Sequence, residues 1–391
     1  MSITGSKLGG VAVKLKYGMV GGGPGSFIGD VHRRAIALDG KVELVAGSFS
    51  DVPDEVYETG HELGLDDERL YVTYQEMAEK EAARDDGIDF VVIVTPNFLH
   101  YPVAKAFLEA GIHVVCEKPL CFEVAQGEEL KKIADANGCL FGVTYTYTGH
   151  VMAKQARDMI AKGEIGEVRV VMAEYPQDWL IESDEELGMQ GEWRTDPKRS
   201  GRSNCLGDIG SHAENMVNYM TGLKLKKLCA KMDIKVAGRT LDDNSQVLLE
   251  YENGATGTLW CSQIAIGNDN ALRVRVFGKL GSIDFVQEDS NYMKVTKKGE
   301  PTQIYSRGTG AVGEAAGAFS RLPAGHPEGF FAAYANIYSA FAAAIFDKAA
   351  GKEVDEESYG YPTIDMGIDG VRFVNKCCDS NEAGSVWVDF E

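Results

Sequence analysis

A short apolar run from Leu15 to Val20 leads into five glycines, Gly21, Gly22, Gly23, Gly25 and Gly29. A segment of helical character, residues 30–38, follows. Strand, glycine turn and helix in that order bring backbone N–H groups, and the partial positive charge of a helix N-terminus, up to a pyrophosphate. Glycine is needed because a side chain would block the approach and because such turns use positive φ. Gly21 and Gly23 fit the G-x-G-x-x-G spacing. A third glycine at Gly25 comes too early, and one at Gly29 too late. The spacing reads as a widened loop with Gly29 opening the helix, and with Pro24, Gly25, Ser26, Phe27 and Ile28 beside the phosphates. A glycine-rich structural turn is the other reading, so the residues downstream decide.

Residues 15–146 continue as alternating strand and helix patterns. Strands are expected at Val42–Ser48, Phe90–Val94, 113–117 and 140–144, with helices at 54–63, 74–83, 101–110 and 123–137. Phe90–Val94 is apolar throughout, as for a strand buried on both faces. This alternation predicts a doubly wound parallel sheet with ligands at the carboxyl ends of its strands. The pattern changes after residue 147. A helix at 151–162, a strand at 168–175 and a helix at 211–221 precede strand-like runs at 227–232, 246–251, 256–264, 272–277 and 282–286. Hairpin-length connections between these predict a large open, mostly antiparallel sheet. Helices at 330–350 and 364–380 close the chain. The expected fold is therefore α/β in class. It comprises a short lead (1–14), a dinucleotide-binding Rossmann domain (15–146) and a C-terminal α/β domain (147–391). An open sheet face needs cover, which predicts a homo-oligomer, a dimer, tetramer or higher assembly, formed through that sheet.

Composition narrows the partners. A formal charge of −20 over 391 residues opposes a nucleic-acid surface or an anionic membrane surface. No run reaches the roughly 18 apolar residues of a membrane span, and the first ten residues lack the apolar core of a signal peptide. The eight cysteines form no C-x-x-C pair and read as reduced thiols of a cytoplasmic protein, with no metal site expected.

Four groups of residues could carry chemistry. Thr95-Pro96-Asn97-Phe98-Leu99-His100 follows the most apolar strand, at its ligand-facing end; a turn with a helix cap is the alternative. Cys116-Glu117-Lys118-Pro119 puts a lysine at another strand tip, where an ammonium would stabilise a developing alkoxide; an ordinary surface lysine is the alternative. In Gly207-Asp208-Ile209-Gly210-Ser211-His212, the acid and the imidazole are four residues apart and share a face at a helix start. An imidazole of ordinary pKa, about 6.5, suits removal of a hydroxyl proton at neutral pH. Gln177-Asp178-Trp179 and Trp193-Arg194 offer indole faces for a sugar ring with polar groups for its hydroxyls. His326, in a polar turn before a helix, faces the same site or caps the helix.

Glycine turn, T-P-N-x-x-H, E-K-P and D-x-G-x-H in this order and spacing resemble the Gfo/Idh/MocA oxidoreductases, over residues 15–380. The resemblance implies hydride transfer between a nicotinamide and a carbon-bound hydroxyl of a sugar or cyclitol. It implies Lys118, His212 and Asp208 as catalytic residues, places Asn97 and His100 near the nicotinamide, and matches Glu117 to the acid beside the lysine, counted with the cofactor residues. Substrate-binding roles follow for Lys118, Gln177, Trp179, Trp193, Arg194, Asp208, His212 and His326. The family's N-x-R-F segment is replaced here by a stretch containing Tyr145, Tyr147 and His150, among which Tyr147 is taken as a substrate contact. Thr95, Pro96, Ser50 and Asp51 join the expected cofactor residues. With no Lys or Arg between Lys41 and Arg69 to accept a 2′-phosphate, NAD is expected, and NADP stays open through Arg33 and Arg34. The expected activity is oxidation of a ring hydroxyl of a sugar, glycoside or cyclitol, with C3 of a glucoside one candidate. The alternatives are an inositol 2-dehydrogenase, a sugar–sugar oxidoreductase that recycles a tightly held cofactor, and a non-catalytic NAD-binding regulator.

Overall fold

Phe90–Val94 is buried at every position and forms the middle of a five-stranded parallel sheet. The order is Val42–Ser48, Leu15–Gly21, Phe90–Val94, His113–Cys116, Phe141–Val143. The structure, a computed structural model, describes residues 14–182 and 194–391 and the paired segments Lys7–Leu8 and Val11–Ala12. Trp193 lies outside the described residues.

Two units emerge, one of Met1–Thr146 with Phe330–Ile368, the other of Tyr147–Gly329 with Asp369–Glu391. The simple division at 147 therefore needs correction, because residues 330–368 pack with the first unit. Helix Phe330–Ala349 is apolar on nearly every face, so it needs burial on more than one side. Phe341 meets Phe90 edge-on at 5.6 Å and Tyr361 at 5.2 Å. Ser339 donates to Asp39 at 2.5 Å, and Val143 N–H donates to the Pro362 carbonyl. This helix is long and apolar enough to span a bilayer, but 67% of its apolar window is buried within the protein.

The second unit holds a nine-stranded sheet. Its order is Gln303–Ser306, Tyr292–Lys297, Gly281–Val286, Arg273–Gly278, Val168–Pro176, Thr256–Ser262, Asn244–Tyr251, Leu225–Asp233, Val388–Asp389. Among these neighbours only Val168–Pro176 and Thr256–Ser262 run parallel. Alternation decides the faces. Val171, Ala173, Val274 and Val276 are buried, on the side covered by helix Ser211–Thr221. Val170, Met172, Leu248 and Phe277 point the other way and are exposed. Tyr292–Lys297, Gln303–Ser306 and Val388–Asp389 were not expected as strands. They are short, and in the first the Lys294 and Lys297 side chains interrupt an apolar reading.

Candidate active site

The glycine turn closes differently from the widened loop expected. Helix Phe27–Ala37 begins before Gly29, with Ser26 as its N-cap accepting from the Gly29 N–H at 3.2 Å. Ser26 thus occupies the last position of the G-x-G-x-x-G spacing, and Phe27 and Ile28 form the first helical turn. Gly29 supplies close packing instead. A Cβ there would lie 2.5 Å from the Gly22 Cα. Gly21, Gly22 and Gly25 adopt positive φ, and Arg33 ties the turn by donating to the Gly22 carbonyl at 2.8 Å. Gly23 N–H is committed to the Phe49 carbonyl at 3.1 Å, so Gly23 joins the turn to the second strand tip. Pro24, Gly25 and Phe27 are exposed. The N–H groups of Phe27 and Ile28 open the helix, where no intrahelical acceptor exists. At the second strand tip, Ser50 donates to Glu55 at 2.5 Å and accepts from Val52 N–H, while Asp51 is exposed. Arg34 is engaged by Asp30 at 2.6 Å.

His100 is fully buried, and its Nδ1 and Nε2 meet the carbonyls of Pro119 and Thr95 at 2.7 and 2.9 Å. Its ring ties together the two strand tips on which Thr95-Pro96-Asn97 and Lys118 sit. Burial pushes its pKa down. The Lys118–Pro119 peptide is cis. Below it, Glu117 Oε1 lies 2.8 Å from His32 Nε2 and accepts from Thr144 Oγ1 at 2.6 Å and Tyr334 OH at 3.1 Å. Its Oε2 accepts from the Lys118 N–H at 3.1 Å. Burial opposes the charge, but the His32 ring, the Lys118 ammonium and the Thr144 hydroxyl hold the pKa down to about 2. Glu117 is a carboxylate at working pH, buried directly behind the half-buried Lys118. His32 Nδ1 continues the network to Tyr338 OH at 2.5 Å.

In the second unit, Asp208 lies in a single π-helical turn, Leu206–Gly210, that leads into helix Ser211–Thr221, which carries His212. Wide turns of this kind are rare and recur at functional sites. Gly210 is required, since a Cβ would come within 2.8 Å of Leu206 and 3.0 Å of Cys261. Asp208 Oδ2 accepts from Gln263 Nε2 at 3.0 Å and lies 3.4 Å from Arg194 Nε. The Arg194 guanidinium in turn sits 5.5 Å from the Trp179 ring centroid. Tyr147 meets the His212 ring edge-on at 4.9 Å, and Tyr175 meets it at 6.3 Å.

A polar chain backs these rings. The Trp179 indole can only donate, and it does so to Gln177 Oε1 at 2.9 Å. Gln177 Nε2 then donates to Asn270 Oδ1 at 2.7 Å, which also accepts from Tyr175 OH at 2.5 Å. Asn270 Nδ2 donates to Tyr147 OH at 3.2 Å, and the two tyrosine hydroxyls lie 2.5 Å apart. His150 stacks on Tyr147 but is buried, and burial holds its pKa down to about 4. His326 is exposed, on a turn whose carbonyl is gripped by Arg307. Among the described residues, no hydrogen bond or ring contact joins His326 to the His212 group. The same residues contain no group of three acidic, Cys or His side chains able to hold a metal.

Residues 15–145 match the model of the oxidoreductase family with an NAD-binding Rossmann fold, and residues 153–284 match the GFO/IDH/MocA C-terminal domain. The chain belongs to the GFO/IDH/MocA oxidoreductase family. It is 40% identical to an uncharacterized oxidoreductase (YfiI) of Bacillus subtilis, over the full length of both chains. It is also similar in structure to an inositol dehydrogenase homolog from Azotobacter vinelandii. The NAD+ complex of that protein superposes with a TM-score of 0.92 at 40% identity, covering 97% of this chain and 98% of the other. The complex with NADH and myo-inositol gives 0.90 at 39% identity, with the same coverage. Levoglucosan dehydrogenase of Pseudarthrobacter phenanthrenivorans is 28% identical over 72% of this chain and 76% of its own.

For a GFO/IDH/MocA chain the residues that escaped the sequence reading are informative. His32, Thr144, Tyr334 and Tyr338 surround Glu117, and Gln263 and Asn270 brace the second group. None lies in a motif. A buried His on the glycine-turn helix was the one available signal, and its partner is 85 residues away.

Proposed function

We propose that this oxidoreductase transfers hydride from a ring hydroxyl of a cyclitol or sugar to NAD+, with an inositol the first candidate. The observation that carries the reading is that one chain holds both a lysine on a buried carboxylate network and an Asp–His pair walled by ring and amide side chains. The Azotobacter vinelandii homolog, crystallised with NADH and myo-inositol, supports the cyclitol over the aryl glucoside. The levoglucosan relative keeps an anhydrosugar as the second candidate.

The glycine turn fits a dinucleotide. A Cβ on Gly21 would come 2.9 Å from the Val94 carbonyl, so only backbone lines that wall. The first N–H groups of helix Phe27–Ala37 suit the pyrophosphate, while Ser50, Asp51 and Glu55 suit ribose hydroxyls and repel a 2′-phosphate. Bound NAD+ supplies the hydride acceptor. In this reading His212 takes the hydroxyl proton and Asp208 steadies the imidazolium that forms. Lys118, backed by the Glu117 carboxylate, stabilises negative charge on the substrate oxygen. Tyr147, Tyr175, Gln177 and Asn270 orient the ring. The protein acts in the cytoplasm, as an oligomer formed through the exposed face of the nine-stranded sheet.

The test is a panel of myo-inositol, scyllo-inositol, levoglucosan, glucose and an aryl glucoside with NAD+ and with NADP+, followed by reduced-nicotinamide absorbance. Turnover of an inositol, faster with NAD+, is expected. His212→Ala should lower kcat about 10²- to 10⁴-fold while NADH binding is retained. No turnover of any polyol, or an unchanged kcat in His212→Ala, overturns the reading.

A further inference from the structure

Asp208 is reached from other elements of its unit, with Arg194 Nε 3.4 Å from its carboxylate. Its Oδ2 accepts from Gln263, a fully buried residue just beyond the strand Thr256–Ser262. Every hydrogen-bonding group of Gln263 is engaged. Its N–H donates to the Asp243 carbonyl at 2.9 Å, its carbonyl accepts from Leu180 N–H at 3.1 Å, and its Oε1 accepts from Asn204 Nδ2 at 2.9 Å. Asn204 is held in turn. Its N–H donates to Asp242 Oδ1 at 2.8 Å, and the same buried carboxylate accepts from Ser203 Oγ at 2.8 Å, Leu206 N–H at 2.8 Å and Ser245 Oγ at 3.0 Å.

The polarity of this chain is one-way. Gln263 can point an N–H at Asp208 only while Asn204 points an N–H at Gln263. That orientation leaves Asn204 Oδ1 buried with no hydrogen-bond partner among the described residues. An unmade buried bond is costly, and turning both amides would not recover it: the Asn204 amide nitrogen would take the unpartnered place and the Gln263 carbonyl would face the Asp208 carboxylate. A carbonyl is tolerated there only if Asp208 carries a proton.

We infer that Gln263, locked by Asn204 and Asp242, is a positioning residue that holds Asp208 in place and ionised for the proton transfer at His212. The inference rests on the catalytic reading of Asp208 and His212 above. It predicts a functional effect that packing alone would not produce.

The test uses the full chain, NAD+ and whichever polyol of the panel turns over fastest. Gln263→Met removes the donor and should cut kcat by roughly 10- to 100-fold, with KM for NAD+ unchanged. The acid limb of the kcat/KM profile should move up by about one pH unit. Gln263→Glu keeps the shape but presents a second carboxylate, so it should move the acid limb further than Gln263→Met. A packing role predicts the opposite order. In an Asp208→Asn background, Gln263→Met should add no further loss. The relay is overturned if Gln263→Glu is the milder variant, if the acid limb stays put, or if the losses multiply. If Gln263→Met does not fold, Gln263→Glu against wild type decides alone. If Asp208→Asn turns over like wild type, the catalytic reading fails and the relay fails with it. If Asp208→Asn is slow and neither Gln263 variant is, only the relay fails.

Discussion

Two buried glutamates resolve the same desolvation problem in opposite ways. Glu117 keeps its charge because donors converge on both oxygens, and its pKa falls to about 2. Glu214, on the His212 helix, is buried and lies near the Asp369 carboxylate, which push its pKa up to about 8. The linkage sign for Glu214 follows. A carboxyl whose folded pKa is raised binds its proton more tightly when folded, so stability falls as pH rises from about 4.5 toward 8. Glu214→Gln fixes the neutral form. It should be close to neutral in urea unfolding at pH 4.5 and stabilising by on the order of 3 kcal/mol at pH 8.5. An equal change at both pH values would mean that Glu214 is not carrying a buried proton. At this scale the sequence marks candidates that share a short motif, as Lys118 does in E-K-P and Asp208 with His212 in D-x-G-x-H. It is silent where a partner comes from far along the chain. Gln263 is 55 residues from Asp208, and Tyr334 is 217 from Glu117. Those distances are closed by tertiary structure, and nothing local marks their ends.

The first helix shows why element boundaries were harder to read than element types. Ser26 caps it, but the residue three positions on is Gly29, so no Glu or Gln completes a capping box and the start carries no signature. Gly29 looks like a turn residue in one dimension and is a packing residue in three, because the helix rests on the Gly22 backbone. Gly29→Ala should push the helix N-terminus off the turn. Overpacking of this kind costs about 1–3 kcal/mol, and borne by the turn proposed to hold the pyrophosphate it should weaken NADH binding by about tenfold or more in a fluorescence titration. Gly310→Ala, which meets open space, is the matched control and should leave NADH binding alone. A Gly29→Ala protein that binds NADH like wild type would break the link between that contact and the cofactor site.

At the scale of the whole chain, the sequence order is not the domain order. Helix Phe330–Ala349 follows all the long strands of the second unit yet belongs to the first, where Tyr334 and Tyr338 complete the Glu117 network. An apolar helix must be buried, but its composition does not say against what. The exposed face of the nine-stranded sheet poses the complementary problem. Across its register, Phe277 is opposite Val170, while Met172 is opposite Thr258 and Thr258 opposite Leu248, so apolar side chains extend over adjacent strands. Arg273 and Asp284, paired at 2.8 Å, share this face, so its polar groups are already partly satisfied within the sheet. A surface that is apolar and internally paired loses little on being covered and gains the hydrophobic term, about 25 cal/mol per Å² of apolar area. A second copy offers the same surface, and isologous pairing buries both at once. The protein should therefore sediment well above the 42.5 kDa of one chain. Met172→Glu with Leu248→Glu should move it toward one chain while its NADH titration stays intact. A wild-type protein that sediments as a single chain at micromolar concentration would leave the sheet face without this role, whatever its apolar character.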